Sequence, residues 1–126
     1  MGVLMAGVRV GNALDVPPAE PSGDGDGKLL VIGWGSTQGS ITGAVRRARA
    51  EGKRVGQLHL RYLNPFPSNL GEVLGRYERV LVPEMNLGQL SFVLQGKYLR
   101  EIVSLSKVQG LPFRESEIYD RICELA

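Results

Sequence analysis

The sequence predicts an α/β domain, a parallel sheet with helices on both faces. Three observations carry this. Short, nearly unbroken apolar runs recur after Lys28, the pattern of strands buried on both faces. Segments with apolar residues at helical spacing stand between those runs. Turn-forming glycines and prolines mark the joints. Such alternation implies helical crossovers, which strand twist makes right-handed. A length of 126 residues is enough for one core and too little for two ordinary domains.

The elements follow in order. Residues 16–27, VPPAEPSGDGDG, have the proline, glycine and acid content of a linker. Residues 1–27 therefore read as the tail and linker of a preceding domain, and 28–126 as the domain proper. Leu29–Trp34, LLVIGW, is the first strand of the regular pattern. Gln38 to Glu51 reads as a helix, with Ile41, Ala44, Val45 and Ala48 on one face and Arg46, Arg47 and Arg49 turned outward. Gly52 ends it as a C-terminal cap residue. Arg54–Leu60 is the second strand. Asn64-Pro65-Phe66-Pro67 must be a loop, because prolines suit neither a helix interior nor a central strand. Ser68 or Asn69 can cap a short helix from Leu70 to Tyr77. Arg79–Pro83 is the third strand, Met85–Gln89 a loop, and Leu90 to about Leu99 a helix. Ile102–Val108 is the fourth strand, and Arg114 or Glu115 to Leu125 the last helix.

Composition excludes several function classes. A net charge of +2 with scattered basic residues argues for neither nucleic acid nor a membrane surface. One cysteine, Cys123, cannot make an internal disulfide, a zinc cage or an iron–sulfur cluster, and its plain reading is an idle thiol. No apolar run approaches the ~18 residues that a bilayer span needs. The mildly apolar N-terminus is interrupted by Arg9 and lacks a signal peptide's layout. The cytoplasm is the expected compartment.

Chemistry, if any, should gather at strand ends. Val31-Ile32-Gly33-Trp34-Gly35-Ser36-Thr37-Gln38-Gly39 passes from strand to helix through three glycines. The spacing G-x-G-x-x-x-G is one residue longer than the dinucleotide fingerprint, and no Gly-Lys-Ser/Thr follows. The turn is either structural, with Ser36 and Thr37 capping the helix, or an anion contact at free amides. Trp34 is too large for a simple turn and suggests a partner surface. Glu84, beside Asn86 and Gln89, is the carboxylate at another strand end; it either caps the next helix or joins a ligand site. His59, the only histidine, is a strand residue pointing opposite to Leu58 and Leu60, without an adjacent acid or nucleophile. No catalytic constellation or metal spacing emerges.

The words HLRYLNPFP, VPEMNLGQL and KVQGLPF, with VIGWGST, carry a family resemblance. From about Asp15 to its end the chain resembles the C-terminal domain of the alpha subunit of 2-oxoacid:ferredoxin oxidoreductases, closest to the 2-oxoglutarate (2-oxoglutarate synthase) type. The resemblance implies a transketolase-C-terminal-like fold. That is a three-layer α/β/α sandwich on a mixed five-stranded sheet, mostly parallel. Its one antiparallel edge strand comes first in the chain and would fall near Pro18–Pro21. It also implies a parent enzyme that turns a 2-oxoacid, CoA and oxidised ferredoxin into acyl-CoA, carbon dioxide and reduced ferredoxin. The family's thiamine diphosphate, Mg and iron–sulfur cluster lie in other segments, so this chain is expected to bind none and to carry no catalytic residue. The expected role is subunit assembly, with the remainder of the alpha subunit and the beta subunit as partners and ferredoxin serving the whole complex. A homodimer across a two-fold axis fits the same family. Trp34, Phe66 and Met85 are the candidate docking residues. The alternative is a CoA or nucleotide-phosphate module built from Gly33, Gly35, Ser36, Thr37, Gly39, Glu84, Asn86 and Gln89.

Overall fold

The computed structural model describes residues 18–23, 27–61, 66–84, 89–106 and 113–126. Strand β1 is Ser22–Gly23 and β2 is Gly27–Trp34. A 3₁₀ turn, Gly35–Thr37, leads into α1, Gln38–Ala50. Then come β3 (Val55–Leu60), α2 (Leu70–Gly75), β4 (Tyr77–Glu84), α3 (Gln89–Tyr98), β5 (Val103–Ser106) and α4 (Glu115–Leu125). The sheet order is β1-β3-β2-β4-β5. Strands β2 to β5 run parallel to their neighbours, and β1 pairs antiparallel with β3.

The period-two alternation of the strands feeds two cores. Leu30 and Ile32 of β2, Leu58 and Leu60 of β3, and Val80 and Val82 of β4 face α2 and α3, where they meet Leu70, Val73, Leu74, Leu90 and Leu94. Leu29, Val31, Val55 and Leu81 face the other way, onto Ile41, Ala44, Val45 and Ala48 of α1 and Ile118 and Ile122 of α4. Burying each such Leu or Ile contributes about 1.5–3 kcal/mol. A strand with apolar residues on both faces can be stable only between two helical layers, and that forces the three-layer sandwich.

The helix ends explain the turns. Gly52 has φ +89, and the amides of Gly52 and Lys53 donate to the carbonyls of Arg49 (3.0 Å) and Ala48 (3.1 Å), the paired closure that a left-handed residue permits. Helix α2 stops at Gly75, two residues short of the expected Tyr77, because Tyr77 opens β4 opposite Gly27 and is only 2% exposed. Burial of that ring in the sheet outweighs one more half-turn of a short helix.

The antiparallel strand lies at Ser22–Gly23, just past the prolines rather than on them. Pro21 has no N–H to give a ladder, so pairing starts where donors resume. Upstream, Ala19 is buried in the α2/α3-side core. Its N–H donates to Asn69 Oδ1 (2.7 Å) and its carbonyl accepts from Asn69 Nδ2 (2.9 Å). Asn69 precedes α2 as expected, yet its side chain does not cap that helix; it clamps the sheet edge instead.

Candidate functional site at the switch point of the sheet

The chain runs from β2 outward to β3, then crosses back to β4 on β2's other side. Between the carboxyl ends of β2 and β4 the winding reverses, and open α/β sheets bind ligands at such a crevice. The two candidate turns start there, because β2 ends at Trp34 and β4 at Glu84. They belong to opposite faces. Gly33 shares the α1 face of β2 with Leu29 and Val31, whereas Glu84 shares the α3 face of β4 with Val80 and Val82.

On the α1 side, Gly33 lies in register with His59. A Cβ on Gly33 would stand 2.4 Å from Ile41 Cδ1 and 3.2 Å from Thr37 Oγ1, so the glycine admits α1 close to the sheet. Gly35 has φ +68, a left-handed conformation suited to glycine, and a Cβ there would meet nothing. Gly39 has open space as well. Thr37 is buried, and its hydroxyl donates to the Trp34 carbonyl at 3.1 Å rather than capping α1. No cap bond from Thr37 reaches α1's first turn, contrary to the capping expected of it, and the Ser36 side chain lies outside the description.

On the α3 side, Glu84 is 1% exposed. Its Oε1 accepts from the Leu90 amide (2.7 Å) and its Oε2 from the Ser91 amide (3.1 Å). These are among the first amides of α3, which have no partner within the helix, so the carboxylate and the helix dipole stabilise each other. Of the two readings of Glu84, the geometry matches the cap. Asn86 and the Gln89 side chain lie outside the described residues.

His59 is half-buried in β3, on the α1 face that its alternation requires. Its Nδ1 is buried without a hydrogen-bond partner among the described residues. Burial first, and the neighbouring Arg61 cation second, push its pKa below the usual imidazole value. With Glu20, Gln38, Gln57 and Arg61 it lines a cleft of about 470 Å³ beside β1 and β3. Among the described residues no three His, Cys, Asp or Glu side chains gather to hold a metal ion. None of the helices there is long and apolar enough to cross a membrane.

The candidate docking residues separate. Trp34 is partly buried against the α2/α3-side core. Phe66 is not docking surface at all: it is 6% exposed, with its ring 6.1 Å from that of Tyr98. Met85 lies outside the described residues. Among the described residues, the large apolar side chains in water are Phe92, 76% exposed, and Leu99, 91% exposed, which the sequence reading passed over. A signal was there. In QLSFVLQGKYL the apolar residues are not confined to one helical face, so α3 gives Phe92 to solvent beside Gln95 and Gly96.

The fold and its crevice define a doubly wound α/β domain of the transketolase C-terminal kind, with the mapped side chains at its switch point engaged in holding the fold. Residues 27–121 match the family described as pyruvate:ferredoxin oxidoreductase core domain II, and the chain belongs to that family. Over 104 residues it is 56% identical to the 2-oxoglutarate oxidoreductase subunit KorA of Mycobacterium tuberculosis, covering 82% of this chain and 16% of that one. The 2-oxoglutarate:ferredoxin oxidoreductase from Magnetococcus marinus, solved with 2-oxoglutarate, coenzyme A and succinyl-CoA bound, matches with a TM-score of 0.81 at 30% identity, over 87% of this chain and 20% of that one. A split-gene transketolase, solved as an inactive beta4 tetramer, shares the fold with a TM-score of 0.64 at 17% identity, over 94% of this chain and 46% of that one. The resemblance carried by the sequence words is met, and the chain spans about a sixth of the Mycobacterium relative's length.

Proposed function

We propose that this chain is a non-catalytic assembly domain of a thiamine-diphosphate-dependent 2-oxoacid:ferredoxin oxidoreductase, with 2-oxoglutarate as the 2-oxoacid. The parent reaction converts 2-oxoacid, CoA and oxidised ferredoxin into acyl-CoA, carbon dioxide and reduced ferredoxin. One observation carries the reading. Among the described residues, the candidate groups at the switch point are engaged in the fold: both Glu84 oxygens with α3 amides, and the Thr37 hydroxyl with a strand carbonyl. The described residues do not fit the parent's cluster or a metal ion. A cluster needs several thiolates and the chain has one cysteine, exposed on α4. No acidic trio stands ready for a metal among the described residues.

The proposed partners are the rest of the alpha subunit and the beta subunit, with ferredoxin meeting the assembled complex, a two-fold homodimeric arrangement, and the cytoplasm as compartment. The test replaces the matching 104 residues of the Mycobacterium KorA subunit with this chain and co-produces the graft with that enzyme's remaining subunits. The graft is expected to turn over 2-oxoglutarate with CoA and an electron acceptor, and the chain alone to show no turnover. Turnover by the chain alone, or a well-folded graft without it, overturns the reading.

A second reading has one observation in its favour. Thr37 leaves the first turn of α1 without a side-chain cap bond at a topological switch point, where phosphate of CoA or a nucleotide fits the positive dipole end. Gly39 is its best witness, since a Cβ there would meet no neighbour. If Gly39→Ala leaves CoA affinity unchanged, or no affinity exists, this reading fails.

A further inference from the structure

We propose that the outer face of α3, centred on Phe92 and Leu99, is where this domain docks onto another domain of the same polypeptide in the parent enzyme; this deepens the assembly reading and rests on it. Three observations converge on the face. Phe92 and Leu99 are seven residues apart, two helical turns along one stripe, and lie opposite the buried Leu90 and Leu94. The stripe is uncharged, with Gln95 and Gly96 between its ends. The one charged residue of α3, Lys97, places its ammonium 5.6 Å from the Phe66 ring and 5.9 Å from the Tyr98 ring, on the core side of the helix.

The other helices contrast with this. Those of α1 and α4 turn Arg46, Arg49, Asp120 and Glu124 away from their buried stripes. A large ring exposed among uncharged neighbours is suited to cover by a partner surface. Leu99 adds an independent sign. It has φ +52, the one non-glycine among the described residues in the left-handed region, and it closes α3 through its N–H to the Gln95 carbonyl at 3.0 Å. A glycine would close that turn without strain. Leucine accepts the strain and places its side chain in water, a gain only if something covers it.

The occupant follows from size and tethering. Two large side chains are far fewer than the roughly 20–30 residues a side of a free, stable interface. A domain on the same polypeptide needs less, because a linker supplies an effective concentration in the millimolar range. In the 30%-identical Magnetococcus enzyme the matching region is 20% of a single chain, so tethered neighbours exist there. The face therefore fits an apolar, uncharged surface of the adjoining alpha-subunit domain better than a second free copy.

The test is hydroxyl-radical footprinting of Phe92 and Leu99 in the free chain and in the assembled graft. Oxidation of Phe92 is expected to drop roughly tenfold or more on assembly, as for the centre of an interface. Leu99→Gly should raise the free chain's Tm by a few degrees, by ending the left-handed strain. The double variant Phe92→Ser, Leu99→Gly should stay folded yet assemble about tenfold less well, as loss of interface anchors requires. Phe92 oxidised in the graft at the free-chain rate overturns the inference, as does full assembly of the double variant. Concentration-dependent self-protection of Phe92 in the free chain gives the face to a second copy and also overturns it. Turnover with Phe92 exposed sinks this inference alone. Protection without turnover supports it while sinking the functional reading.

Discussion

Three glycines of the switch-point turn look alike in the sequence and differ in the structure. Gly33→Ala should cost about 1–3 kcal/mol, because its Cβ enters the space of the buried Ile41. Gly35→Ala should cost about 1–2 kcal/mol with no clash, through φ alone. Gly39→Ala, helical and unobstructed, should stabilise by about 0.5–1 kcal/mol. Urea unfolding of the three variants reads this ranking. His59 gives a pH prediction. Its folded-state pKa lies below the unfolded value of 6.5, so in the window between them the unfolded chain binds more protons. The contribution is complete above about 6.5 and is lost as pH falls through the folded-state value. The Tm is expected to fall on acidification through that window, and His59→Gln to flatten the fall. The glycine pattern was legible in the sequence; which glycine answers to sterics and which to φ was not, since Ile41 reaches Gly33 only once α1 lies on the sheet.

Strand-to-helix junctions are where elements are fastened. Glu84→Gln keeps the shape but turns an N–H₂ toward one of two α3 amides, so one buried donor loses its acceptor. A loss of about 1–3 kcal/mol is expected from chemical denaturation, with faster amide exchange at Leu90 and Ser91. At the far edge, Asn69 forms both bonds of a ladder rung with Ala19. Asn69→Asp keeps the acceptor and sets a carboxylate against the Ala19 carbonyl. Limited proteolysis is expected to cut near residues 18–23 in that variant and to spare them in the parent. The helices and buried strands were readable from periodicity. The two-residue β1 was not, because so short a pairing leaves no period to read. Asn69 was correctly placed before α2, but its partner stands 50 residues away in sequence.

At the scale of the molecule, the order β1-β3-β2-β4-β5 brings two candidate turns to one crevice. If the fold alone explains them, no ligand should stabilise the chain. A thermal-shift titration with CoA, thiamine diphosphate, NAD and ATP is expected to show no change. A site filled at about 100 times its dissociation constant would add about 2.7 kcal/mol, so a real site would be plain. A shift with CoA alone would transfer weight to the α1 N-terminus and its open Gly39.

The sequence by itself determined the α/β class, the positions of the four main strands and four helices, and the family, because periodicity and motif words are local and survive without coordinates. The tertiary structure decided what those residues do. It joined Glu84 to the α3 amides, moved Phe66 from surface to core, and left Phe92 and Leu99 in water. Burial and hydrogen-bond partnership are relations between distant segments, and a single chain's pattern states which residues can be buried without stating what covers them.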